Sequence, residues 1–168
     1  MLAIGNKHER RPLVYFIGLS AKPNREHLDS MTRTGSIIGL ILDRLPNVAA
    51  VRTNLVKNPP TDELGRLRYP TAEEMQSGWD ELEADMIRIH PSLVVALGLQ
   101  VSSFLRLQVG IHPTKPRLPL DMSSKSYLAE CRGGILSVHH PSFIYVYRRT
   151  QIDKYVNNVA ASIKSLVI

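Results

Sequence analysis

The chain predicts a layered α/β domain with a mostly parallel central sheet. Short apolar runs at 13–17 (LVYFI), 49–53 (AAVRT), 93–97 (LVVAL) and 135–138 (ILSV) have the length and composition of buried strands. Segments with apolar residues at helical intervals lie between and after them. Turn residues such as Gly18, Pro46 and Gly98 separate one kind from the other. Strands that alternate with helices pair in parallel, because each return across the sheet needs a crossover.

Each element has its own justification. Leu13–Ile17 is a continuous apolar run before Gly18, which suits a central strand. Pro23 and the polar residues to Arg33 form a long loop. Ile37, Ile38, Ile41, Leu42 and Leu45 follow at helical spacing, and Pro46 ends that helix. After the strand at 49–53, residues 55–70 contain Pro59, Pro60, Gly65 and several charges, so they read as loop. Thr71 and Glu74 form a capping-box pattern that opens a helix to about Ile89. Leu93–Leu97 is a third buried strand, and residues 100–107 are helical. Residues 109–125, rich in proline and turn formers, form a surface excursion. Residues 127–130 and 135–138 flank Cys131–Gly134 as a hairpin. Ile152, Tyr155, Val156, Val159 and Ile163 mark a closing helix over 151–166.

Composition narrows the class further. The 168 residues, 43% hydrophobic, suit a single domain over residues 1–168. No apolar stretch reaches membrane-spanning length, and the N-terminus carries its charges behind a very short apolar start, the reverse of a secretory signal. The expectation is a cytoplasmic monomer without a membrane partner. The single cysteine, Cys131, excludes a disulfide framework and a four-cysteine metal or cluster site. His8, His27, His112 and His139 lack ligand spacing, so no metal and no cofactor are expected.

The net charge of +6 is unevenly spread. Residues 71–89 carry six acids against Arg88, a net of −5, which leaves +11 for the rest of the chain. Such asymmetry fits a basic face that meets phosphates while the acidic helix points away; a solvated acidic helix on an ordinary basic protein fits it as well.

Three segments stand just after strand candidates: GLSAKP at 18–23, TNLVKNPPTD at 53–62 and HHPS at 139–142. Their loops would open on one edge of the sheet, where open α/β folds build their sites. Together with the helix start TRTGSIIGLIL (32–42), YPTAEE (69–74) and HPSLVVALG (90–98), they occur in an order that resembles the uracil-DNA glycosylase superfamily. The resemblance covers roughly residues 14–149. It is closest to bacterial and archaeal branches that usually carry an iron–sulfur cluster.

The resemblance implies a three-layer α/β/α domain acting on DNA as a monofunctional glycosylase. Such an enzyme flips a nucleotide into a pocket, at a cost of a few kcal/mol, and hydrolyses its N-glycosidic bond. Charge growing on the departing base must be stabilised, and a water must be placed at the sugar. His140 is then the donor to a base oxygen, Pro141 fixes the loop and Ser142 binds a flanking phosphate; otherwise His140 is a turn histidine bonded to backbone. His90-Pro91-Ser92 repeats the tripeptide at a connector and is taken as structural. Asn54 supports the pocket loops or reads a base edge, or else organises its own loop. Asp62 orients water or stabilises the cationic sugar, or else caps a turn.

The chain departs from the family pattern in three places. Leu19, Ser20, Ala21 and Lys22 follow Gly18 where relatives supply a water-positioning residue, which leaves Asp29 and Glu26 as candidates or as plain surface residues. The segment Gly35-Ser36-Ile37-Ile38-Gly39 lacks the aromatic residue against which uracil packs. A pocket with Ser36 and Ile37 would leave room for a larger base, such as a modified phage-type pyrimidine, with Phe16 or Tyr145 as other sources of a stacking ring. Asn58 replaces a cluster cysteine. The expected substrate pocket is Gly18, Leu19, Ser20, Ser36, Ile37, Asn54 and Ser142.

Phe143, Tyr145, Arg148 and Arg149 fall where the family has a loop that wedges into the minor groove; an alternating edge strand is the other reading. Lys22, Arg25, Arg33 and Lys57 would meet the same phosphates. DNA repair and antiviral defence both fit such an enzyme. A catalytically inactive DNA-binding relative and a nucleoside or nucleotide hydrolase on the same fold are the alternatives.

Overall fold

A computed structural model describes residues 11–25, 28–110, 130–132 and 134–168. The element order is β1 (Leu13–Ser20), α1 (Arg33–Asp43), β2 (Ala49–Val56), α2 (Ala72–Ile89), β3 (Leu93–Leu97), α3 (Leu99–Gln108), β4 (Glu130–Arg132), β5 (Ile135–Val138), α4 (Pro141–Tyr147) and α5 (Ile152–Val167). The sheet runs β2-β1-β3-β5-β4. The first four strands pair in parallel, and β4 lies antiparallel on β5 at the edge.

The alternation along each strand creates two cores. Val14 and Phe16 of β1 point to a face shared with Val95, Leu136, Ile38 of α1, Ile144 of α4 and Val156 of α5. Tyr15 and Ile17 point to the other face, with Leu55, Trp79 and Leu82 of α2 and Leu105 of α3. Helices therefore cover both sides, and the domain has three layers, α/β/α. Both faces of β1 are buried, which is why its sequence is a continuous apolar run.

Several elements extend beyond their apolar signal. β1 continues through Gly18, Leu19 and Ser20, and Gly18 pairs with Asn54 of β2. The loop expected to open at Gly18 therefore opens at Ala21. The capping box of α2 forms: the Glu74 N–H donates to Thr71 Oγ1 and the Thr71 N–H donates to Glu74 Oε2 at 2.7 Å. His90 closes α2 in the left-handed conformation, and Ser92 holds the start of β1 through both its N–H and its hydroxyl. The second His-Pro-Ser copy thus has a structural role. The hairpin at 130–138 is present with its first strand shifted to Glu130–Arg132. Most of the excursion expected at 109–125, and residues 127–129, lie outside the described residues.

Residues 143–147 require a correction. They form neither a wedge loop nor an edge strand but most of α4. His140 is the N-cap and Pro141 the first helical residue, where the missing N–H of proline costs nothing. Ile144 then enters the core, and Phe143 packs against it.

Among the described residues no helix is long and apolar enough to cross a membrane.

Candidate active site

The C-terminal ends of β1, β2, β3 and β5 carry the loops that surround a cleft of about 350 Å³. Its floor is built by close approaches. Asn54, at 3% exposure, faces the cleft beside Gly18, and a Cβ on Gly18 would collide with Asn54 Oδ1. Glycine is required there because the amide occupies the space of a side chain. Gly35 serves the same purpose for α1, since a Cβ would overlap the Leu28–Asp29 backbone. Arg52 fixes that contact by donating from Nη1 to the Gly35 carbonyl at 3.2 Å and the Leu28 carbonyl at 3.4 Å.

His140 lines the cleft at the corner between β5 and α4. The Ser142 backbone N–H donates to His140 Nδ1 at 3.2 Å, and Ser142 Oγ lies 2.7 Å from the same nitrogen. A nitrogen that accepts carries no proton, so Nε2 bears the N–H of the neutral ring. Burial, with the charge of Lys22 adding to it, lowers the pKa of His140 to about 4. The ring is therefore neutral at pH 7. Gly98 makes the space: a Cβ there would sit 3.2 Å from His140 Cβ, and its φ of +92° is one that glycine adopts without strain. The adjacent His139 is buried inside the fold, and desolvation lowers its pKa as well.

The other predicted residues separate into groups. Leu19, Ser20, Lys22, Asn54, His140 and Ser142 all line the cleft, with Gly18 beneath them. Ile37 does not, because α1 turns it into the core at 1% exposure; Ser36 faces outward and donates to the Arg33 carbonyl. Phe16 is fully buried. Asp29 sits on the loop beside the cleft, accepting from the Met31 N–H and lying 3.6 Å from Arg25. Glu26 lies outside the described residues. Asp62 is on the Pro-rich segment away from the cleft lining. It accepts from the backbone N–H of Leu64 and of Arg66 and from the Arg66 side chain, and these bonds lower its pKa. Among the described residues, no carboxylate lines the cleft.

The cations also divide. Lys22 and Arg25 face the cleft. Lys57 instead pairs with α2, 3.0 Å from Glu81 and 4.0 Å from Asp85, and the hydrogen bond to Glu81 raises its pKa. Arg33 and Arg149 both stack on the Tyr145 ring, with guanidinium carbons 5.3 and 5.0 Å from its centroid. Arg148 is exposed just after α4. Phe143 packs edge-on to His139, with ring centres 5.9 Å apart.

Sequence reasoning missed Gly98, Arg52, Thr34 and the wall formed by Leu67, Arg68 and Tyr69, which also lines the cleft. The positive φ of Gly98 had a signal, a glycine directly after a buried strand. Arg52 and Tyr69 had none in the local pattern.

The cleft thus joins a buried amide on β2 to a neutral histidine just past β5. The model of the uracil DNA glycosylase superfamily matches residues 9–164. The chain belongs to the uracil DNA glycosylase superfamily. No curated protein matches it. Membership supports a DNA glycosylase-like function in general. The iron–sulfur cluster of some superfamily branches does not fit these residues: four thiolates are needed and the chain has one cysteine.

Proposed function

We propose that this protein is a monofunctional DNA glycosylase. It hydrolyses the N-glycosidic bond of uracil or a modified pyrimidine, including bulky phage-type bases, and leaves an abasic site. The observation that carries this reading is the neutral His140 ring. Its Nδ1 is held by Ser142, and its Nε2–H is left as a donor in a cleft at the strand ends.

The chemistry follows from charge. As the bond between the sugar C1′ and the base nitrogen breaks, its electron pair leaves with the base and collects on a pyrimidine oxygen. A neutral N–H fixed in a half-buried site stabilises that oxygen without reorganising; removing one such donor typically costs 10²–10³ in rate. A water oxygen then bonds to C1′ and releases a proton, while the departing base takes one up. Asn54 is the buried polar group we assign to orient that water, with Asp29 on the adjoining loop as a candidate carboxylate and Glu26, outside the described residues, as another by its place in the sequence. Lys22 and Arg25 face the strand's phosphates, and Ser142 the phosphate beside the flipped nucleotide. Arg33, Arg148 and Arg149 extend that cationic border across α4. With no lysine nucleophile invoked, the product strand stays intact.

Room for a base larger than uracil comes from the cleft of about 350 Å³ itself, whose described lining holds no aromatic side chain besides His140 and the exposed Tyr69; Ser36 and Ile37, which do not line it, take no part. A role in repair and a role in defence against phages with modified pyrimidines both follow from such a pocket. A DNA-binding protein without turnover is the second reading, favoured by the lack of a lining carboxylate among the described residues.

The test is base release from duplex and single-stranded oligonucleotides carrying uracil or modified pyrimidines, and from phage DNA with modified bases, scored by alkali cleavage. Alkali-labile sites at one class of base support the glycosylase. Tight binding with no release from any substrate supports the second reading.

A further inference from the structure

The segment between β2 and α2 is a built hairpin, although its composition reads as loop. Thr61 bridges Leu67 in antiparallel register. The Asp62 N–H donates to the Arg66 carbonyl at 2.8 Å and the Arg68 N–H to the Pro60 carbonyl at 3.0 Å. Gly65 takes the turn at φ +74°. Arg68 then bolts the hairpin to α2 with a bidentate pair to Glu74, both bonds 2.8 Å, which lowers the Glu74 pKa to about 2.

A segment held this firmly nevertheless exposes its large side chains. Leu67 is 53% exposed and Tyr69 73%, and both line the cleft that contains His140. Two residues apart, they border the same cleft. Tyr69 is also the one aromatic residue besides His140 among the described cleft-lining residues. The other candidate rings are engaged elsewhere: Phe16 is buried in the core, Tyr145 is flanked by Arg33 and Arg149, and Phe143 packs on the core.

We infer that Leu67 and Tyr69 form the base-contacting edge of this protein, with Tyr69 stacking on a base next to the extruded nucleotide. This rests on the glycosylase reading and moves the base contact, though not the phosphate contacts, from α4 to the β2–α2 hairpin. Charge placement agrees. Lys22 and Arg25, also in the cleft lining, are available to phosphates, whereas Asp62 and Glu74 already occupy the hairpin's own arginines. What the hairpin offers a strand is therefore apolar and aromatic surface, the kind on which unstacked bases settle.

The experiment uses a fluorescein-labelled duplex with a central tetrahydrofuran abasic site, and a second duplex with 2-aminopurine beside that site. Base stacking on an aromatic side chain predicts that Tyr69→Ala weakens binding about tenfold and abolishes the 2-aminopurine emission change. Leu67→Ala should weaken binding less. Tyr69→Phe should retain both signals, and Ile87→Ala, on the acidic helix, should leave both unchanged. The three side chains changed are exposed, so the variants should fold, which thermal melting checks. Binding by Tyr69→Ala equal to wild type, with loss seen instead in Tyr147→Ala on α4, would overturn the inference and leave the glycosylase reading standing. A wild-type protein that binds neither the abasic nor the intact duplex would overturn both.

Discussion

Two segments past the ends of strands carry the residues most readily assigned to chemistry, and they use them in opposite ways. At the β5–α4 corner, His140 is half-buried, held at one nitrogen by Ser142, and lines the cleft with its other nitrogen uncommitted. On the β2–α2 hairpin, Asp62 spends its oxygens on the turn it belongs to, bonding Leu64, Arg66 and the Arg66 side chain. A polar residue whose bonds are closed within its own loop organises that loop. A polar residue held from one side and open to a cavity can act on something that enters it.

The sharpest way to break this comparison is to remove each residue in turn. His140→Ala should lower base release by 10²–10³-fold with the fold retained, as measured by single-turnover release and circular dichroism. Asp62→Ala should leave that rate within a fewfold of wild type and act on the melting temperature alone. Comparable rate losses in both variants would erase the distinction.

Acidity probes the same corner. The folded pKa of His140, about 4, lies below the ordinary value of 6.5, so the unfolded chain takes up its proton first. Stability is then complete above about pH 6.5 and falls as pH drops toward 4, by up to about 3 kcal/mol from this group. His139, also lowered by burial, acts in the same direction. Urea melts between pH 4 and 7.5 should show this slope, and His140→Asn should reduce it. The rate of base release should show no ionisation of His140 between pH 5.5 and 8.

Gly98→Ala should destabilise the domain by about 2 kcal/mol, through a backbone that disfavours any Cβ and a contact that pushes on His140. Its rate should fall along with its stability. Thr71→Ala, which breaks the capping box on the acidic helix, should cost about 1 kcal/mol in urea and leave the rate unchanged.

The same contrast explains what was legible in the sequence. The parallel strands, the capping box and the H-P-S corner each follow from a short local pattern, and they appear where that pattern places them. α4 was less legible because five residues after a proline satisfy both alternation and helical spacing. Its fate is decided by His140 capping the first turn and Ile144 reaching the core. The hairpin was illegible for a related reason. Its prolines, glycine and charges match loop chemistry, while the pairings that order it, Thr61 with Leu67 and Arg68 with Glu74, cross several residues. Ile37 shows the limit at the site itself, since one step around a helix separates a pocket wall from the core.

The state of the His140 ring tests the account most directly. Long-range nitrogen–proton correlation spectra of the folded protein, recorded from pH 4 to 8, distinguish the two neutral tautomers from the cation. The ring should be neutral and protonated at Nε2 throughout pH 5.5–8, with Nδ1 shifted by the bond from Ser142. A ring protonated at Nδ1, or a cation at pH 7, would contradict it.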